Sequence, residues 1–137
     1  MSSTPVEVTR TGQHVFTATN PRGAEVAIGP EDAPGAFTPG ELLLAAIAAC
    51  SAVTSENLLV RRLGEDAKVT VHADRTKTPE DKHKFASVQV SLDVDLSGFE
   101  DGERGRLVDA VRRAIEKYCT VSRSVEEGTP IQMSISH

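Results

Sequence analysis

The sequence predicts an α+β fold in which antiparallel sheets flank one long helix. Three patterns carry that expectation: alternating stretches within residues 5–28, an apolar helical run that starts at Thr38, and a return to period-two alternation before a second amphipathic helix. Taken in order, "VEVTR" alternates, "HVFTAT" follows it, and "NPRG" supplies a tight turn into "AEVAIG". The loop "PEDAPGAF" leads to the long helix. Thr38 is its candidate N-cap, Pro39 suits the first helical position, and Glu41 completes a T-x-x-E capping box. Arg61, Arg62 and then Gly64 mark the far end, giving a helix of about 25 residues, long for a globular domain.

Beyond Gly64, "AKVTVHADRT" and "FASVQVSLDVDL" alternate apolar and polar positions, separated by the charged turn region "KTPEDKHK". A second helix is expected from Asp101 to Tyr118, with Leu107, Val108, Val111, Ala114, Ile115 and Tyr118 on one stripe. Asp109 and Arg113 form an i,i+4 pair on its outer side. "CTVSRSVEEG" reads as a short further helix and "PIQMSISH" as a closing strand. No repeat, linker or low-complexity tract interrupts the pattern, so residues 1–137 read as a single domain.

Composition removes several classes of function. The net charge is −5 and no block of lysines or arginines is present, which argues against a nucleic-acid or anionic membrane partner. The start "MSSTPVEVTR" lacks the basic and apolar regions of a secretory signal, so the expected location is cytoplasmic. The apolar run 42–53 is shorter than the about 20 residues a bilayer span needs. That run is nevertheless apolar all the way round, and such a helix must be covered on every side. One small sheet and one other helix can hardly enclose it. A second subunit packing its own copy alongside would do so, with Ala45, Ala46, Ala48, Ala49 and Ala52 allowing close approach, and a homodimer is therefore expected.

The two cysteines carry the chemistry. In a reducing compartment they do not read as a permanent bridge, so they are either inert core thiols or a working pair. Cys50 lies in mid-helix, with Leu43, Ala46, Ile47, Val53, Thr54 and Asn57 near its face: a small apolar surface with a polar lower edge. It reads as a buried structural thiol or as one member of a pair. Cys119 stands where the amphipathic helix ends and the short helix begins. There the exposed N–H groups lower a thiol's pKa, and Arg123, one turn on, adds a cation. On local physics Cys119 is the more activated of the two; its alternative is a plug at a helix junction.

Together "TPGELLLAAIAAC" and "EKYCTVSRSV" resemble the OsmC family, named for osmotically inducible protein C, which includes the organic hydroperoxide resistance proteins. The resemblance runs over the whole chain in element order. It implies an OsmC-like fold, an intertwined homodimer with the long cysteine-bearing helices central, and active sites at the subunit interface. It also implies roles: Cys50 attacks an organic hydroperoxide as thiolate and becomes a sulfenic acid, and Cys119 resolves it as a disulfide. The reductant implied is an external dithiol of the dihydrolipoyl type.

Two departures mark this chain. The best-characterised hydroperoxide reductases of the family place a glutamate directly after the proline; here that position is Gly40 and the acid is Glu41, an E-L-L-L pattern that matches a less well-defined branch. Glu41 lies about two and a half turns from Cys50 and out of phase with it, so any contact would come from the other subunit, and capping explains it. The thiolate-stabilising arginine of those enzymes lies in the N-terminal strands. "TRTGQH" offers Arg10 just before that place and His14 roughly in it, while Arg22 and Arg75 read as solvated turn and strand-end residues.

His14, His72, His83 and His137 show no metal-ligand spacing, and no phosphate loop, nucleophile elbow or dinucleotide fingerprint is present, so no metal and no cofactor is expected. The expected function is a thiol-dependent peroxidase reducing alkyl hydroperoxides in oxidative stress defence. The alternative is a non-catalytic dimeric module that binds an apolar small molecule or a protein partner.

Overall fold

Three short antiparallel strands come first: β1 (Glu7–Gly12), β2 (Val15–Thr19) and β3 (Glu25–Ile28), in the order β1-β2-β3. The computed structural model describes residues 5–137. The "NPRG" turn forms as expected, because Asn20 Oδ1 accepts the N–H groups of Arg22 and Ala24, both at 3.0 Å, and Gly23 takes φ +91°. His14 is a difference from the sequence reading: it lies in the β1–β2 turn at φ 63° rather than in β2. A two-residue connection needs such a left-handed position, and no glycine stands there to supply it.

The long helix α1 spans Pro39–Leu63. Its capping box is formed in both directions: Glu41 N–H donates to Thr38 Oγ1 at 3.1 Å, and Thr38 N–H donates to Glu41 Oε1 at 2.9 Å. Gly64 ends it at φ +97°, its N–H donating to Val60 O at 2.7 Å. Thr38→Ala removes the hydroxyl acceptor and is expected to cost about 1 kcal/mol. Thermal unfolding checks this, and an unchanged midpoint would show that Glu41 alone holds the end.

After α1 come β4 (Thr70–Thr78) and β5 (Asp81–Asp93), an antiparallel pair, then α2 (Asp101–Tyr118) and α3 (Thr120–Glu126). The "KTPEDKHK" region is mostly strand: only Pro79 and Glu80 turn, because Lys77 and Thr78 find partners in Phe85 and Asp81. The chain forms two compact units, residues up to Leu44 and Ala45–His137, with the boundary inside α1.

The core of the second unit is Leu59 of α1 with Leu107 and Val111 of α2, surrounded by Val69, Leu92, Val94, Leu96, Phe99 and Ile115. Leu59 is 1% exposed. Arg62 lies over the Phe99 ring and pairs with Glu103 at 3.3 Å, tying the end of α1 to the start of α2; both groups are well exposed, so the pair adds little. On α2 the stripe is narrower than its pattern, for Val108 and Tyr118 are exposed, and the outer ion pair Asp109–Arg113 is not among those formed in the described residues. Residues 129–137 are not a strand. Ile131, Met133 and Ile135 alternate as a strand face should, yet they are the most exposed large apolar residues described, because no sheet edge among the described residues receives them.

Along α1 one narrow stripe is buried: Leu44, Ile47, Ser51, Ser55 and Leu59. Ala45, Ala49 and Val53 are exposed, so the described chain does not cover the helix all round. Residues 42–53 alone are too short for a bilayer span, but they are only half of α1. The whole helix is long and apolar enough to cross a membrane by length and composition, and only 28% of its most apolar stretch is buried.

Candidate active site

Cys119 is placed by the junction of two helices. It is both the last cap of α2, its N–H donating to Ile115 O at 3.0 Å, and the N-cap of α3, its O accepting from Arg123 N–H at 3.0 Å. The side chain is fully buried. Its Sγ donates to Ser122 Oγ at 3.2 Å and lies 4.0 Å from Ser51 Oγ on α1. Cys50, next to Ser51 in the chain, is half-buried. Both thiols are free. Both sequence-predicted cysteines lie in the second unit, and the residue after Cys50, Ser51, is the one that approaches Cys119.

Burial by itself would raise the pKa of the Cys119 thiol. The Ser122 hydroxyl, the Ser122 N–H, the Cys50 thiol and the Ser51 hydroxyl outweigh it, and the net shift is downward from the ordinary thiol value. No carboxylate or cation is among these groups. Arg123, expected to be the nearby cation, instead donates from Nη1 to Lys117 O at 3.2 Å and pairs through Nε with Glu127 at 3.7 Å. Sequence reasoning missed Ser122 and Ser51. Ser122 had a signal, since it is three residues past an N-cap whose side chain must meet the N3 position; Ser51 had none beyond its place next to Cys50.

The other candidates belong elsewhere. Glu41 has its carboxylate on Thr38 N–H. Arg10 is exposed on β1 opposite Phe16, and His14 is exposed in the following turn. Arg22 is exposed in its turn, and Arg75, on β4, pairs with Asp74. Of the histidines, His72 pairs with Asp93 at 3.1 Å across β4 and β5. No group of three metal-ligating side chains occurs among the described residues.

Beside the thiols runs a half-open groove of about 630 Å³ between β5, α2 and α3, walled by Val90, Leu92, Val108 and Val111. Ser51 and Ser122, the two hydroxyls that touch Cys119, are also in its wall. Neither cysteine is in that wall, which also carries Arg112, Glu116, Arg123 and Glu126; the site thus offers two free thiols and the hydroxyls that touch one of them.

An α+β chain with one thiol in the middle of a long helix and a second at the junction of two others defines the class. The family model described as OsmC-like protein matches residues 29–134, and the chain belongs to that family. It is 40% identical over 136 residues to uncharacterized proteins of Mycobacterium tuberculosis and Mycobacterium bovis, with 96% of both chains covered. Among solved structures, an OsmC-like protein from Mycoplasma pneumoniae superposes with a TM-score of 0.65 at 15% identity, covering 94% of this chain and 91% of that one. The organic hydroperoxide resistance protein OhrB of Bacillus subtilis does so at 0.56 and 21%, covering 90% and 91%. At these identities the likeness is one of fold.

Proposed function

We propose that the protein is a thiol-dependent peroxidase that reduces organic (alkyl) hydroperoxides in oxidative stress defence, working in the cytoplasm as a homodimer. One observation carries the reading: half-buried Cys50 adjoins Ser51, whose hydroxyl lies 4.0 Å from the sulfur of a sealed, hydrogen-bonded Cys119. The Cys50 thiolate attacks the terminal oxygen of the hydroperoxide, the O–O bond breaks, and the alkoxide leaves and is protonated to the alcohol. The Cys119 thiolate then attacks the sulfur of the Cys50 sulfenic acid. An S–S bond forms, the S–O bond breaks, and the hydroxide becomes water. An external dithiol of the dihydrolipoyl type returns both thiols. Membership of the OsmC-like family and a fold shared with an organic hydroperoxide resistance protein support the substrate class, and Val90, Leu92, Val108 and Val111 in the neighbouring groove offer apolar surface for an alkyl group.

The exposed α1 face and the unpaired apolar residues of the C-terminal segment support the homodimer. The reading assigns no role to Arg10 or His14.

The test is intact mass and free-thiol count after one equivalent of cumene hydroperoxide. The expected result is loss of two hydrogens and both thiols within one chain, faster than with hydrogen peroxide. Two persistent free thiols would instead indicate a binding module with structural cysteines.

A further inference from the structure

We propose that Ser122 and Ser51 are positioning residues for Cys119: their hydroxyls fix its sulfur between α3 and the turn of α1 that follows Cys50, and serve as the donors that a cation would otherwise provide. The inference rests on the reading of Cys119 as the resolving thiol. Its geometry is local to three helices that meet at one buried sulfur. Ser122 reaches it from the first turn of α3 at 3.2 Å, and Ser51 reaches it from α1 at 4.0 Å.

The surroundings leave the task to these hydroxyls. From α1 the one titratable neighbour acting on Cys119 is Cys50 itself. From α3 the Arg123 guanidinium is turned to Lys117 O and Glu127. From the end of α2, Glu116 and Lys117 are exposed. Ser51 is itself buried, and the backbone turn it sits in is braced by Ser55, whose hydroxyl donates to Ser51 O at 2.8 Å. While Cys119 is a thiol it donates to Ser122 Oγ; once ionised it has no proton to give, and the Ser122 hydroxyl rotates to donate to it. Resolution needs that ionised form, because the thiolate and not the thiol attacks the sulfenic sulfur.

The sign of the pH effect follows. Hydroxyl donation favours the thiolate, so removing it moves the midpoint of Cys119 ionisation upward. Below the midpoint less thiolate is present and resolution slows. Above it the more basic thiolate is the better nucleophile, and resolution is no slower. For a shift of about one unit the net loss at low pH is about three- to fourfold, because nucleophilicity recovers part of it.

The experiment reads the two quantities separately. In Cys50→Ser, where Cys119 is the remaining thiol, ultraviolet thiolate absorbance is followed against pH. Adding Ser122→Ala is expected to raise the midpoint by about one unit, Ser51→Ala to raise it by less, and Ser122→Thr to restore it. A midpoint that Ser122→Ala leaves in place, or that Ser122→Thr fails to restore, overturns the proposal whatever the peroxidase result. The second arm keeps Cys50 and measures disulfide formation after an alkyl hydroperoxide. A slowed rate at low pH, without loss at high pH, supports the full inference. A shifted midpoint with an unaltered disulfide rate keeps the hydroxyl contacts but overturns Cys119 as the resolving thiol.

Discussion

Cys50→Ser is expected to abolish turnover of an alkyl hydroperoxide, lowering the rate by about a thousandfold or more, since a serine hydroxyl cannot replace a thiolate in this reaction. Cys119→Ser is expected to behave differently. The first equivalent of hydroperoxide is still consumed, no intrachain disulfide forms, and the sulfenic acid persists long enough to be trapped with a carbon nucleophile such as dimedone. The assignment of roles turns on two properties that point in opposite directions. Thiolate content favours Cys119, whose pKa is held below the ordinary value. Access favours Cys50, which is half-buried, whereas Cys119 has no exposed surface. Access decides, because a hydroperoxide must reach the sulfur in line with its O–O bond, while a resolving thiol needs only to reach its neighbour. Hydroperoxide consumption by each variant, followed with mass spectrometry of the trapped adduct, checks the assignment. Trapping at Cys119 in the Cys50→Ser protein would reverse it.

Much of this architecture is legible in the sequence where local chemistry sets it. Thr38 and Glu41 cap α1 as their spacing demands, Gly64 closes it in the left-handed region, and α2 runs from Asp101 to Tyr118 as its stripe predicts. These signals are complete within one or two turns of chain. The parts not legible depend on distant partners. The C-terminal "PIQMSISH" has the alternation of a strand, but alternation states which face is apolar and not which edge receives it. At the site, both cysteines could be picked out from their settings, while the third helix's Ser122 and the buried Ser51 gain meaning only when α1 and α3 meet at one sulfur. Arg123 shows the converse. Its spacing from Cys119 fitted a cation at the thiol, but the Lys117 carbonyl and the Glu127 carboxylate take its donors.

Val53→Asp is expected to dissociate the proposed homodimer, because it puts a charge on the face that α1 leaves uncovered. Val53 is 72% exposed and continues a line through Ala45 and Ala49 at intervals of one turn. Small residues on such a line let a second helix approach closely, and Val53 would lie within the contact. In a two-fold symmetric interface the substitution enters from both copies, so two carboxylates would be brought together and stripped of water. A few kcal/mol of uncompensated desolvation weakens association about a hundredfold to a thousandfold. Val53→Ala, which removes apolar volume without adding charge, is expected to weaken it far less. Sedimentation of the three proteins across micromolar concentrations measures the difference. A wild type that sediments as a monomer would remove the dimer, and a Val53→Asp protein that remains dimeric would move the interface off this face. Because α1 is also long and apolar enough to span a bilayer, fractionation distinguishes the remaining possibility. Recovery of the wild-type protein with membranes would make lipid, rather than a second copy, the cover for Ala45, Ala49 and Val53. Recovery as a dimer without detergent would leave the second copy as their cover, and would place each Cys50 on a helix packed against its partner.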